Sequence, residues 1–324
     1  MQLSTEKLRY HGTGGTLLGI FLVNALLTVL SMGIYSFWAR TRLRQFYYGA
    51  TELDGDRFAY HGTGGELLVG ALLSGCVLAF VAMVFGLLMV ATGAAGASGG
   101  PGSAQFLVIF GYMLTLVTLV AIAINGARRY RLSRSSWRGI RFTFRGRWQD
   151  YLQLMLTGNL LSVVTLGFYG PFYRNKSRAF LANHSQFGSL PFGYDGDGKD
   201  LFVQYLKALL LTIPTLGLCW VWYVAFRQRY FWSHTTLGPV RFRSTMTGGR
   251  LLGLSLTNVL LALLTLGIGI PWAVTRTMRY SFDTLALEGD IDWKGVEQQA
   301  QLASATGEGL AQGLDVDIDL GLGI

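Results

Sequence analysis

The hexapeptide Tyr10-His11-Gly12-Thr13-Gly14-Gly15 recurs unchanged at Tyr60-His61-Gly62-Thr63-Gly64-Gly65. The same register returns at Phe144, Tyr194 and Ser244, so the copies step by 50, 84, 50 and 50 residues and the second carries 34 extra. A period of this length constrains the fold before any local pattern does, because each copy must form one supersecondary unit that completes its core on its neighbours. It divides the chain into an N-terminal segment 1–9, units 10–59, 60–143, 144–193, 194–243 and 244–293, and a tail over 294–324.

Six apolar stretches run near Leu17–Trp38, Leu67–Val90, Phe106–Ile124, Leu152–Phe172, Leu201–Tyr223 and Leu251–Val274. Only 14% of residues are charged, against about 25% in an average soluble domain. Stretches of about 20 apolar residues match the roughly 30 Å hydrocarbon layer. The expected class is an α-helical integral membrane protein. The first stretch reads as uncleaved, because bulky Met32, Tyr35, Phe37 and Trp38 follow it rather than a small-residue cleavage site. Cys76 and Cys219 both lie in apolar stretches and give neither a disulfide framework nor metal-ligand spacing.

Aligned on the hexapeptide, each unit reads in the same order. An apolar segment comes first, with Gly33, Gly167, Gly217 and Gly267 at one shared position and Trp38, Phe172, Trp222 and Trp272 at another. Cations follow: Arg40, Arg42 and Arg44; Arg128 and Arg129; Arg174, Lys176 and Arg178; Arg227 and Arg229; Arg276 and Arg279. Apolar, aromatic, then basic is the order of a bilayer interface, so these cations are candidates for lipid-headgroup contact from a basic interfacial helix. Each unit ends in an extended piece with a turn signal such as Asp54-Gly55, a short β-hairpin. Phe58, Phe142, Phe192 and Phe242 share one position in these hairpins, which are expected to pair into a small soluble sheet.

The Gly-Thr-Gly-Gly entry, Asn24, Gly33-Ile-Tyr-Ser-Phe-Trp-Ala-Arg40, Thr51-Glu-Leu-Asp-Gly-Asp-Arg-Phe58 and the ending Thr306-Gly-Glu-Gly-Leu-Ala-Gln-Gly-Leu-Asp315 resemble the YjgN-like family of bacterial inner-membrane proteins, which carry a domain of unknown function. The resemblance implies an inner-membrane location, with no activity, substrate or catalytic residue attached.

Two topologies fit. Six spans in alternation divide the loop cations 17 to 9, a weak bias with the identical hexapeptides on opposite faces. If every unit instead leaves and re-enters one face, all the basic loops are cytoplasmic and only the charge-free Ala91–Ala104 loop is external. Against that second arrangement, only six residues separate Gly33 from Arg40, about 9 Å of helix.

Chemistry is sparse. His11, His61, His184 and His234 form two pairs, each separated by the sequence period, and no carboxylate stands at metal-ligand spacing, so no metal, cofactor or catalytic residue is expected and the chain reads as a non-enzyme. Asn24, Asn159 and Asn258 fall at nearly one repeat position inside apolar stretches, where they are candidates for bonds between helices or a polar pathway lining, and Lys207 is the only charge well inside such a stretch. The expected partners are anionic lipids, suggested by the +9 net charge, and a second copy of the chain; nucleic acid is not expected, since the basic residues form no recognition motif. The acidic tail is expected to dock on the chain's own basic clusters or on a partner. The functional expectation is membrane scaffolding or shaping, with a transporter or channel for a small solute, anions included, as the alternative.

Overall fold

The computed structural model describes residues 5–95, 102–291, 293–296, 306, 309–310 and 314. The five acids of the tail, Glu297, Glu308, Asp315, Asp317 and Asp319, lie outside the described residues. The chain enters through β1 (Thr5–Tyr10) and then repeats two helices and two strands. These are α1 (Gly14–Leu30), α2 (Ser36–Gly49), β2 (Thr51–Leu53), β3 (Asp56–Tyr60); α3 (Gly64–Ala95), α4 (Ser103–Ser133), β4 (Ser135–Trp137), β5 (Ile140–Phe144); and α5 (Trp148–Val164), α6 (Gly170–Asn183), β6 (Ser185–Phe187), β7 (Leu190–Tyr194). Next come α7 (Gly198–Leu211), α8 (Cys219–Ser233), β8 (Thr235–Leu237), β9 (Val240–Ser244), α9 (Gly248–Leu264), α10 (Ile270–Asp283) and β10 (Leu285–Glu288).

The strands are three to six residues long, yet each pairs antiparallel with its neighbours and β10 closes on β1, giving a ten-stranded barrel. A lone hairpin of this length is marginal in water; closure gives every strand two partners and leaves no open edge. One inward belt runs round the barrel as cross-strand pairs: Leu8 with Leu53, Phe58 with Trp137, Phe142 with Phe187, Phe192 with Leu237, and Phe242 with Leu287. Phe58, Phe142, Phe192 and Phe242 stack in sequence, with ring centroids 6.3–6.4 Å apart. All the hairpin turns lie at one end of the barrel. There Trp293 closes the lumen against Trp137, at 4.7 Å between centroids, and donates its indole N–H to Glu6 at 3.3 Å.

All helices join the opposite end, and each packs on the one before and the one after, with α10 against α1. The glycines of the hexapeptide explain the closure. The ring of Trp38 occupies the place a Cβ would take on Gly64, and Phe172, Trp222 and Trp272 do the same over Gly198, Gly248 and Gly14. Each aromatic therefore locks one unit onto the start of the next, and the Trp272–Gly14 contact joins last to first. The aromatics expected at headgroup level thus serve mainly as inter-unit wedges, although Trp222 keeps 49% of its surface exposed.

This architecture corrects the expected fold class. The chain is not an α-helical bundle of six membrane segments with small hairpins attached; a closed β-barrel forms its centre. Among the described residues only two helices are long and apolar enough to cross a membrane, Gly64–Gly93 and Ser103–Ser133. The other apolar stretches are broken in their second half. Met32, Leu166, Leu216 and Leu266 take positive φ near 50°, and the glycine after each takes φ of 82–94°. Two successive left-handed residues end a helix sharply, and glycine takes the second place at least cost. Composition and length hid this break, because hydropathy does not register a change of backbone handedness.

Candidate functional site

Four helical turns, at residues 31–35, 165–169, 212–218 and 265–269, stand at the far side from the barrel. Their apolar tips touch almost nothing: Met32 is 96% exposed, Leu166 89%, Leu216 93% and Leu266 93%. Ile34, Phe168, Leu218 and Ile268 beside them are also exposed. Large apolar side chains exposed together at the ends of helical hairpins mark a surface that meets a membrane or another protein.

The backbone of these turns is hydrogen-bonded internally. The N–H of Gly33 donates to Thr28 O at 2.8 Å, and Gly167, Gly217 and Gly267 make the same five-residue bond to Ser162, Thr212 and Ala262 at 2.6–2.8 Å. A hydroxyl then caps the returning helix: the N–H of Tyr35 donates to Ser31 Oγ at 2.8 Å, and Tyr169 and Gly269 donate to the hydroxyls of Thr165 and Thr265 at 2.9 and 2.7 Å. Cys219 donates to Thr215 Oγ1 at 3.3 Å. In hydrocarbon an unpaired backbone group costs several kcal/mol, roughly, so internal pairing is the condition for placing a turn there.

The candidate headgroup contacts divide by direction. Arg40, Arg42, Arg174, Lys176, Arg229, Arg276 and Arg279 are exposed on the returning helices. Arg129 and Arg227 are half-buried, Arg129 donating to Gly146 O at 3.1 Å and Arg227 lying 6.0 Å from the Tyr223 ring centroid. Arg44, Arg128 and Arg178 turn inward and line a central cavity. Their shared sequence position, occupied by Gln228 and Met278 in the last two units, is the signal that separates them from the outward set.

The polar residues of the apolar stretches also divide. Asn24 and Asn258 donate to Ala39 O at 3.4 Å and Ala273 O at 3.2 Å, tying each outgoing helix to its return partner. Asn159 is exposed; the position equivalent to Asn24 is Gly158, on which Tyr173 packs. Lys207 is exposed on α7. It stands ten residues before Gly217, as Arg227 stands ten after it, so the two share one height on the helix pair.

The cavity holds about 260 Å³ between the barrel lumen and the returning helices. The Phe and Trp belt lines its floor, then a hydroxyl level of Thr51, Ser135, Ser185 and Thr235, then the three arginines. Each hydroxyl is buried and donates to the carbonyl four residues earlier at 2.6–2.9 Å. Arg44 Nη1 donates to Tyr60 Oη at 3.1 Å and Arg128 Nη2 to Ser185 Oγ at 3.5 Å, while the Arg178 guanidinium lies 5.0 Å from the Trp232 ring centroid.

The histidines serve the seams between strands and helices. His11 contacts Glu52 at 2.9 Å, His61 contacts Ser136 at 2.7 Å and His184 contacts the Phe180 carbonyl at 2.7 Å. His234 contacts Asp195 at 2.7 Å, which Arg241 also holds. Partial burial pushes the Asp195 carboxyl up, but the bonds from His234 and Arg241 outweigh it and hold its pKa below the usual carboxylate range. Among the described residues no group of three His, Cys, Asp or Glu side chains is placed to hold a metal ion.

The tail reaches the long helices. Ser74 Oγ donates to Thr306 O at 2.8 Å, and Leu310 is buried against Ala123 and Ala127. Gly309 lies so close to Gly70 that a Cβ would overlap its backbone.

Comparison with known proteins agrees with the sequence resemblance. The model of a family described as "Bacterial protein of unknown function (DUF898)" matches residues 5–226 and 211–313. The inner membrane protein YjgN of Escherichia coli (strain K12) is 28% identical over 146 residues, 44% of this chain and 32% of that protein. YjgN of Salmonella typhimurium (strain LT2) is 29% identical over 139 residues, 43% and 31% of the two chains. The match therefore spans about a third of the length of these curated relatives. No solved structure matches. The names of these relatives support membrane association.

Proposed function

This chain belongs to the DUF898 family, and we propose that it is an inner-membrane scaffold that drives helical wedges into one leaflet from a barrel held in the cytoplasm. The observation that carries the reading is the set of bare apolar tips, taken with the height of the cations behind them. Arg40 and Arg174 stand seven residues beyond the turn glycine, Lys176 and Arg276 nine, and Arg229 and Arg279 twelve. At 1.5 Å per residue those cations lie about 10–18 Å from the tips. A leaflet offers about 15 Å of hydrocarbon, half the bilayer core. With the cations at phosphate level, the tips reach mid-bilayer and stop. Lys207 falls at the same level, where snorkelling suffices.

The hairpin of α3 and α4 is different. Helices of 32 and 31 residues exceed the span requirement, so this pair crosses and returns, carrying a loop without Lys or Arg to the outer face. Every Lys and Arg then lies on the barrel side or at its headgroup level, which favours a cytoplasmic barrel. Wedges confined to one leaflet expand it relative to the other, and anionic lipid strengthens the attachment. Self-association is proposed through the outer faces of α3 and α4, where Phe80, Leu87, Phe106 and Phe110 are exposed.

The test is reconstitution into vesicles of phosphatidylcholine with one quarter phosphatidylglycerol, imaged by cryo-electron microscopy. Narrower vesicles or tubules, with copies that cross-link through α3 and α4, support the reading. Unchanged vesicle shape at high protein density refutes it. The transport alternative loses its sequence support at Asn24 and Asn258, whose amides bond between helices.

A further inference from the structure

The base of the α3–α4 pair departs from the pattern of the other units. Asn24, Ser74, Gly158, Ala208 and Asn258 share one position in the five outgoing helices. Four of them meet their own return helix. Asn24 and Asn258 donate to Ala39 O and Ala273 O, Ala208 O accepts from Cys219 Sγ at 3.1 Å, and the Tyr173 ring covers Gly158. Ser74 turns instead to the C-terminal segment: its hydroxyl is shared between Gly70 O and Thr306 O, both at 2.8 Å. We propose that the segment carrying Thr306, Gly309 and Leu310 is a removable spacer in the α3–α4 pair, and that on its withdrawal the bases of α3 and α4 close on each other as the other four pairs do.

Three features carry the proposal. The faces under the segment are made of small residues one helical turn apart, Gly70 and Ser74 on α3 and Ala123 and Ala127 on α4, all buried. Faces of that kind let two helices approach closely, so once emptied they fit each other. The segment meets them with little bulk of its own. Gly309 lies where a Cβ would overlap the Gly70 backbone, and Leu310 packs on Ala123 and Ala127 with Leu314 half-buried beside it. The contact also opens without stranding a donor, because Ser74 keeps Gly70 O when Thr306 departs. A contact of this size can open locally while the barrel stays folded. Among the described residues α3 and α4 are the helices long and apolar enough to cross a membrane. The spacer therefore acts on that pair, whether or not the shorter hairpins are wedges.

The test uses the full chain in phosphatidylcholine nanodiscs. A glutamate-specific protease should cut after Glu308 slowly in the wild type and roughly tenfold faster or more in Leu310→Asp, which loses one buried leucine. Spin labels at the native Cys76 on α3 and at Thr118→Cys on α4, in a Cys219→Ser background, should report one main distance in the wild type and a shorter one in Leu310→Asp. Ser74→Asn gives α3 the residue by which Asn24 and Asn258 bond their return helices. It should displace the segment, speed the cut likewise and give the same shorter distance. The proposal is overturned if the wild type is cut as fast as Leu310→Asp, if Leu310→Asp leaves the label distance unchanged, or if Ser74→Asn is cut as slowly as the wild type.

Discussion

Replacing Leu266 by aspartate separates a tip in lipid from a tip in water. Leu266 is 93% exposed and sits at a turn whose backbone bonds are all internal. In water the substitution removes no packing, and surface changes of that kind stay within about 0.5 kcal/mol. At mid-bilayer a central aspartate costs about 2.5–3.5 kcal/mol, and the lost leucine adds about half a kcal/mol. The wedge account therefore predicts a loss of about 3–4 kcal/mol from one almost fully exposed side chain. On a conversion of about 2–4 °C per kcal/mol for chains of a few hundred residues, that is a fall of roughly 6–16 °C in Tm. The assay is thermal unfolding in nanodiscs, with Pro239→Asp at a barrel turn as a control expected to change little. A Leu266→Asp protein that unfolds in nanodiscs within about 1 °C of the wild type would refute the reasoning, because it would place the tip in water.

Other consequences follow from single contacts. Gly64→Ala puts a methyl group where the Trp38 ring lies, so it should cost about 1–3 kcal/mol, and chemical unfolding should show a much smaller loss in a Trp38→Leu background. Asn258→Leu removes bonds to Ala273 O and Thr277 Oγ1 and should destabilise by about 0.6–2 kcal/mol, read as reduced thermal stability. Burial, helped by the hydrogen bond to the Asp200 carboxylate and opposed by the backbone bond at Asp197, pushes the Tyr230 phenol up to about 12. A raised phenol pKa gives stability that is fully present below the unfolded value near 10 and is lost as pH rises through about 12. An alkaline unfolding series should therefore show a loss between those values that Tyr230→Phe reduces.

The sequence carried the local grammar of the chain and little of its closure. The turn residues Gly33, Gly167, Gly217 and Gly267 stand out by position, and the structure gives them positive φ. The hidden part is the left-handed residue before each: Met32, Leu166, Leu216 and Leu266 resemble any other lipid-facing side chain. The shared position of Phe58, Phe142, Phe192 and Phe242 was visible, but a strand of three to five residues has too few alternations to show which face is inward. The barrel depends on β1 meeting β10 and on Trp272 covering Gly14, contacts between the two ends of the chain that no local pattern encodes. The basic helices misled for the opposite reason. Their cations read as one headgroup-facing set, whereas the position shared by Arg44, Arg128 and Arg178 turns inward, and its polar-to-apolar drift to Gln228 and Met278 was the available clue.

The central claim, that the broken apolar segments enter and leave one face, has a direct test in sided labelling. Cys76 and Cys219 would be replaced by alanine and serine, and single cysteines placed at Ser189 and Pro239, in successive barrel turns on either side of the α7–α8 pair. Both are exposed. A membrane-impermeant thiol reagent on intact cells should reach neither until the inner membrane is permeabilised, and should then reach both. Labelling of one and not the other in intact cells would mean that α7 and α8 together cross the bilayer, and would contradict the account.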